Sequence, residues 1–497
     1  MMNDRIRFFL GILLSALSGV MLLLSFPPYG IWWLAWLGFV PAIFAQYRMM
    51  PQKQSSLAPA IYALVWLGPY LARLFGTQFG PFFTYLGVLI AILVYFANRE
   101  RVFIERTQYR WMVLQGVAAW VGSEMVRASF IPVIATSAFI GYTQATQAWL
   151  IQPVSIFSIY GLNIMIMVVN FVLAQGAIAF YDSRQPANKD AYRVNPLLAR
   201  NWAIAGGILV AAWISTSLII YRQAPQNPEI IRVASLRANF DLPAHRDQVN
   251  AAEVRFNKFK EQAYQAASQG AQVLFTSEMA FNFDPQVDYT KEFQAIAADT
   301  DTYIFIGYSV LNDQDPRENS VVLLSPEGKF SEVYHKTHIP PGEAYDKPGG
   351  QYPVFDTRYG KMASLVCHDA NYTDVTRHLT QNGAQLIAAP FFEFPGFGEQ
   401  LWQNVTFRAV ENHTSMVVTG STSASAIIDP YGNIKALDTD KAGSELVLVG
   451  DVSLGNGKGT LYTSLGDILG WASLAGLVLF IVFQSLMERR AKKDSLE

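Results

Sequence analysis

Three side chains of different chemistry each close a short apolar run. Glu278 ends VLFTSE, Lys336 ends EVYHK and Cys367 ends ASLVC. Cys367 is the only cysteine of 497 residues, so no disulfide within the chain accounts for it. A thiol that attacks an amide or ester needs a base for its proton, a cation or N–H donors for the tetrahedral oxyanion, and shielding from bulk water. A carboxylate, an ammonium and a thiol supply those parts, with Glu278 expected to take the thiol proton and return it to the leaving group. Each residue taken singly has a plainer reading: a capping carboxylate, a solvated strand-end lysine, a core-filling thiol. Their occurrence together, each at a strand end, points to chemistry. The six histidines form no pair at metal-ligand spacing and no glycine-rich phosphate loop is found, so neither metal nor cofactor is expected.

The elements that must position these residues lie between about 229 and 453. Near-continuous apolar runs there, among them IIRVASL, TYIFIGYSV, AQLIAAPF, TSMVVTGS and ELVLVGD, predict strands of covered sheets. Asp247–Gln269 and Gly398–Asn412 read as amphipathic helices between them. Side chains just beyond strand ends commonly line the cleft of such α/β folds.

The remainder of the chain is different in kind. Overall 51% of residues are hydrophobic and only 15% are charged, and the excess lies in 1–222 and 467–487. Eight spans of membrane length are expected, at about 8–26, 31–46, 58–75, 81–97, 111–128, 154–181, 202–221 and 467–487. That divides the chain into a seven-helix membrane domain (1–222), a globular domain (229–453), an eighth helix (467–487) and a basic cytoplasmic tail (488–497). Arg5, Arg7, Arg48, Lys53, Arg99, Arg101, Arg106, Arg110, Arg184, Lys189, Arg193, Arg200 and the ERRAKK tail all fall on one side of this alternation. The globular domain is thereby expected on the extracytoplasmic side. Glu124 and Arg127 are spaced to pair on one face of the fifth span. The stretch from Ile131 to Leu150, rich in apolar, aromatic, Thr and Gln residues, is expected to lie on or dip into the membrane surface. A net charge of −2 gives no sign of nucleic-acid binding.

The globular part resembles the nitrilase (carbon–nitrogen hydrolase) superfamily. The resemblance rests on HKTHIPPGEAYDKPG around Lys336, LVCHDANYTDV around Cys367, NGAQLIAAPFF, and FRAVENHTSMVVTGSTSASAIIDPYGNI. The whole chain is similar to the bacterial apolipoprotein N-acyltransferase family, through LSFPPYGIWWLAWLGFVPAIFA, AWVGSEMVRAS and GYTQATQAWLIQPVSIFSIYGLNIMIMVVN. That resemblance implies a helical membrane domain carrying an extracytoplasmic α-β-β-α sandwich in the bacterial inner membrane. It also implies a Glu278–Lys336–Cys367 triad, with Glu343 as an additional active-site residue; His368 is added to the candidate site for its place beside the thiol, not by the resemblance. Cys367 would take a fatty acyl group from a phospholipid donor as a thioester. The amino group of a diacylglyceryl lipoprotein would then receive it, with no cofactor.

The sequence departs from the family around the site. His368 and Asp369 follow the nucleophile where tyrosine and glutamate are usual, Pro390–Gly398 (PFFEFPGFG) replaces an asparagine–aspartate–x–tryptophan segment, and TGSTSASA replaces another motif. These changes fall where donor and acceptor sites would be shaped. A membrane-tethered amidase of the same superfamily is the alternative, differing in whether water or an amine resolves the thioester. A ligand-binding receptor has less reason to keep the triad, and a transporter lacks paired broken helices. The sequence sets no oligomeric state.

Overall fold

The computed structural model describes residues 3–75, 80–131, 136–185, 192–225, 228–238, 251–310, 317–340, 343, 345, 349–393, 395–440 and 444–494. Helices occupy Asp4–Ser25, Leu57–Phe75, Gly80–Arg106, Met112–Phe130, Val154–Ser183, Pro196–Arg222 and Ile468–Asp494. Sequence sets where they begin. Asn3 accepts the Arg5 N–H and Asn195 the Leu197 N–H, the latter ahead of Pro196 in the first turn. Among the described residues five stretches are long and apolar enough to cross a membrane: Asp4–Ser25, Gln52–Leu74, Val154–Ser183, Pro196–Arg222 and Ile468–Arg490. The stretch 31–46, expected as a span, is no continuous helix. It is a 3-10 turn (Trp32–Trp36), a short α-helix (Val40–Phe44) and the start of a π turn (Ala45–Met49). The break falls where Gly38 packs against Leu22 and where Pro41, which lacks an N–H, opens the short helix.

Glu124 and Arg127 also differ from expectation, because each finds other partners. Glu124 accepts from Trp120 Nε1 (3.0 Å), Asn163 Nδ2 (2.6 Å) and the Ile140 N–H (3.4 Å). Arg127 donates to the Ser137 carbonyl (2.7 Å) and lies over the Phe139 ring. Together they tie Ser137 and Ile140 of the 131–150 stretch to the helix. Residues 136–145 are buried against protein rather than spread on a surface, and 132–135 lie outside the described residues.

The strands are β1 (Ile230–Arg237), β2 (Val273–Thr276), β3 (Tyr303–Val310), β4 (Glu318–Leu324), β5 (Tyr334–His335) and β6 (Val354–Thr357). They continue as β7 (Gly360–Ser364), β8 (Leu386–Phe391), β9 (Ser415–Gly420), β10 (Ser425–Ile428), β11 (Ile434–Asp438) and β12 (Leu446–Ser453). They form two six-stranded sheets, ordered β12-β1-β2-β3-β4-β5 and β6-β7-β8-β9-β10-β11. In both sheets the successive pairs are antiparallel, parallel, parallel, antiparallel, antiparallel. The two halves of the domain therefore repeat one topology.

The continuous apolar runs follow from burial on both faces. On β2, Val273 and Phe275 point into the core between the sheets, while Leu274 points outward. The outward face meets Phe256, Phe259 and Phe293, carried by helices Ala251–Ser268 and Thr290–Thr300. Helices Asp374–Gln381 and Pro395–Asn412 cover the other sheet. The result is an α-β-β-α sandwich beside the helical region.

Several contacts dock one on the other. Gly396 lies so close to helix Leu57–Phe75 that a Cβ there would sit 2.0 Å from the Arg73 carbonyl. Tyr70 Oη donates to Gln400, Tyr142 packs edge-on against Phe407 at 5.4 Å, and Thr136 donates to the Asn371 carbonyl at 2.7 Å. Helix Val154–Ser183 breaks at Ser158 (φ 55°, ψ 176°). The Ile159 N–H beside this break donates to Glu411 Oε1 of the sandwich (2.9 Å). Glu411 is itself paired with Arg408 at 2.9 Å, both fully buried.

Candidate active site

Strand ends of both sheets bring the sequence-marked residues to one place. Glu278 stands two residues beyond β2, Lys336 follows β5, and Cys367 opens a 3-10 turn, Cys367–Asn371, just after β7. Glu278, Lys336 and Cys367 are only 1–2% exposed. Cys367 has φ +45°, a left-handed conformation that an L side chain adopts at a cost of roughly 1–3 kcal/mol. Such strain is held only where the surroundings fix it, and here Asp369 does so. Asp369 Oδ2 accepts the Val366 N–H (3.0 Å) and Tyr334 Oη (2.7 Å), and Oδ1 the N–H groups of Thr337 (3.1 Å) and His338 (2.6 Å). One buried carboxyl thus ties the residue before Cys367 to the two residues after Lys336.

The ammonium of Lys336 lies between two carboxylates. Its Nζ is 3.0 Å from Glu278 Oε1 and 2.8 and 3.1 Å from the two oxygens of Glu343. Burial alone would lower the Lys336 ammonium. Glu278, the thiol of Cys367 and Glu343 outweigh it and hold the ammonium well above the ordinary lysine value. Glu343 is pushed up by burial, against the pull of Lys336. Glu278 is further fixed by Asn319 Nδ2 on Oε1 (2.6 Å) and the Phe392 N–H on Oε2 (2.7 Å).

The thiol itself turns elsewhere. Cys367 Sγ is 3.2 Å from Glu393 Oε1 and 3.8 Å from the Phe392 carbonyl. Both belong to the segment after β8 that sets this chain apart from the family pattern. Glu278, the residue expected to receive the thiol proton, has three donors on its oxygens, and among the described residues Glu393 is the carboxylate hydrogen-bonded to the thiol. Burial, with Glu278 and Glu393 close by, raises the thiol well above its usual range, and Lys336 pulls the other way. Free thiolate is therefore scarce, and proton removal must accompany attack.

His368 is turned toward its own turn. Its Nδ1 is 3.1 Å from Asn371 Nδ2, its Nε2 is 3.5 Å from Tyr372 Oη, and its ring meets Tyr372 edge-on. Asp369 and Glu393 are the site residues that sequence reasoning left without a role. A signal for Glu393 exists, since it stands two residues beyond β8 as Glu278 stands beyond β2. The Asp369 contacts are all between segments distant in sequence and leave no local trace. Among the described residues no group of three His, Cys, Asp or Glu side chains is arranged to hold a metal ion.

Comparison with known proteins divides the chain in the same way. The carbon-nitrogen hydrolase family matches residues 232–460 and the apolipoprotein N-acyltransferase N-terminal domain matches residues 18–172. An apolipoprotein N-acyltransferase of Geobacter metallireducens is 27% identical over 504 residues, covering 93% of each chain. Apolipoprotein N-acyltransferase 2 of Treponema denticola is 26% identical over 238 residues, 42% of this chain and 44% of that one. An amidase structure from Nesterenkonia sp. superposes with a TM-score of 0.38 at 21% identity, over 46% of this chain and 93% of that one. With a relative running along nearly its whole length and one family domain on each side of residue 200, the chain is similar to the apolipoprotein N-acyltransferases from end to end and carries a carbon–nitrogen hydrolase domain.

Proposed function

We propose that the protein moves a fatty acyl group from a membrane phospholipid, through a thioester on Cys367, to the N-terminal amine of a diacylglyceryl lipoprotein. The observation carrying this reading is a buried thiol, ammonium and carboxylate cluster within a sandwich that docks onto apolar helices through Gly396, Gln400, Phe407 and Glu411. Both substrates would be lipids or lipid-anchored, which gives the helices a mechanistic reason to accompany the sandwich. The one-sided distribution of Arg and Lys supports a catalytic domain on the extracytoplasmic face of a bacterial inner membrane.

In the first half-reaction Sγ of Cys367 adds to the ester carbonyl, and Lys336 supplies the positive charge that stabilises the oxyanion. As Lys336 turns to the oxyanion it releases Oε1 of Glu278, which in the second half accepts a proton from the incoming ammonium. The freed amine adds to the thioester carbonyl, the carbon–sulfur bond breaks, one proton restores the Cys367 thiol and the other leaves to solvent. Glu343 keeps the second carboxylate on Lys336 and returns it to its resting place. His368 shapes the turn beside the nucleophile through Asn371 and Tyr372.

Intact mass spectrometry after incubation with phospholipid tests this. An acyl adduct on Cys367, discharged by a diacylated lipopeptide and stable in water, is the expected result. Rapid discharge by water alone would instead favour a membrane-tethered amidase. No adduct, with Cys367→Ser still active, would end both readings.

A further inference from the structure

Glu393 has no place in the triad, yet among the described residues its carboxyl is the one hydrogen-bonded to the nucleophile. Its position repeats that of Glu278. β2 and β8 are the third strands of two sheets with the same pairing order, they pack face to face in the sandwich, and a glutamate stands two residues beyond the end of each. The two carboxylates differ in what occupies them. Glu278 holds Lys336, Asn319 and the Phe392 N–H, whereas the side chain of Glu393 has Cys367 as its partner among the described residues. Thr422 Oγ1 donates to the Glu393 carbonyl at 2.5 Å, fixing the backbone that carries it.

We propose that Glu393 is a catalytic residue that takes the proton of Cys367 during acylation and delivers it to the departing alcohol. This rests on the acyl-transfer reading above and assigns its first proton step. The S–H proton moves to Oε1 of Glu393 as the sulfur–carbon bond forms. When the tetrahedral intermediate collapses, the ester carbon–oxygen bond breaks and the same proton passes to the leaving oxygen of the lysophospholipid. Glu278 is left for the amine in the second half-reaction.

The surroundings suit the role. The groups facing Glu393 are Cys367 after β7, Glu278 after β2, Lys336 after β5 and Glu343 in the following loop. Some surface of Glu393 stays exposed, but its carboxyl lies deep among protein atoms. Burial, helped by Glu278 and Glu343 and opposed by the thiol contact and Lys336, pushes that carboxyl up to about 7. Above that value it is a carboxylate and accepts the proton. Below it the group is neutral and cannot.

Because Cys367 is the only cysteine, alkylation by iodoacetamide reads this site alone. The rate is measured on the full chain in phospholipid nanodiscs between about pH 5.5 and 9.5, with phospholipid acylation followed in parallel. For the wild type, both rates are expected to rise with a midpoint near 7. Glu393→Gln is expected to lose that midpoint and slow acylation by roughly 100-fold at pH 7.5. Its remaining rise at high pH should move to lower pH, since one negative charge beside the thiol is gone. Glu278→Gln, which removes one of the charges that raise Glu393, is expected to retain a midpoint in alkylation but at lower pH, and Glu393→Asp to restore a shifted one. A Glu393→Gln profile that coincides with the wild type would overturn the assignment, as would a wild-type profile with no midpoint near 7. Should the variant not fold, an unmoved midpoint in Glu393→Asp overturns it equally. A profile that changes as expected in a protein that never forms an acyl adduct would uphold the proton assignment and end the acyl-transfer reading.

Discussion

Asp369→Asn is a sharp test of how the nucleophile is held. The carboxyl accepts four donors at 2.6–3.1 Å, from Val366, Tyr334, Thr337 and His338. Hydrogen bonds to a charged group contribute about 1.5–3 kcal/mol each. Asparagine keeps one accepting oxygen and turns an NH2 toward donors on the other side, so about two of the four are lost. Relief from burying a charge offsets part of this, leaving a net loss of about 3 kcal/mol. For a domain of roughly 200 residues that lowers Tm by about 6–12 °C. The kinetic effect should be larger than the thermal one suggests. Asp369 spans the residues flanking both Lys336 and Cys367, and a shift of about 1 Å between reacting groups costs on the order of 100-fold. Thermal unfolding in detergent, and the rate of thioester formation followed by intact mass, are the assays. A variant with wild-type Tm and wild-type acylation would refute the view that Asp369 ties the lysine strand to the nucleophile turn.

Lys336→Met leaves the buried Glu278 and the partly exposed Glu343 without their cation, so a loss of about 3 kcal/mol in stability is expected by denaturant titration. Acylation should fall by about 100-fold or more, and a variant acylating at the wild-type rate would remove Lys336 from the mechanism. Glu278→Gln is expected to slow transfer while circular dichroism shows the fold intact; unchanged transfer to the lipopeptide would exclude it as the base for the amine. His338 Nε2 lies 2.9 Å from Asp374, which raises the imidazolium above its usual value despite burial, and holds Asp374 below its own. The histidine's contribution is therefore complete below about 6.5 and lost as pH rises through its raised value. The aspartate's is complete above about 3.9 and lost as pH falls through its lowered value. Tm plotted against pH for wild type minus His338→Gln should be greatest between those bounds, and a flat difference would contradict the pairing.

What the sequence made legible was chemistry at strand ends. Glu278, Lys336 and Cys367 each close an apolar run, and a strand edge is local information. The lysine strand is a limiting case, since β5 is only two residues long and its motif marks it better than its propensity does. The stretch 31–46 misled because hydropathy measures composition, while Gly38 and Pro41 decide whether a helix continues. Glu124 and Arg127 were spaced to pair, but Asn163 and the Ser137 carbonyl, brought in by other segments, offered partners in a buried setting. Glu393 was hidden for a different reason. Its strand-end position was visible, but only the facing of two sheets turns a second strand-end carboxylate toward the thiol.

The contact between Ile159 and Glu411 has a practical consequence. At the break in helix Val154–Ser183, an amide that would otherwise be left without an acceptor in an apolar setting is satisfied by the sandwich. Sandwich and helices are thus joined through main-chain bonding as well as packing. Cutting the chain into a soluble half and a helical half would strand the amide on one piece and the Arg408–Glu411 pair on the other. The exchange rate of that single amide hydrogen is accordingly a gauge of whether the sandwich stays seated while lipid enters and leaves.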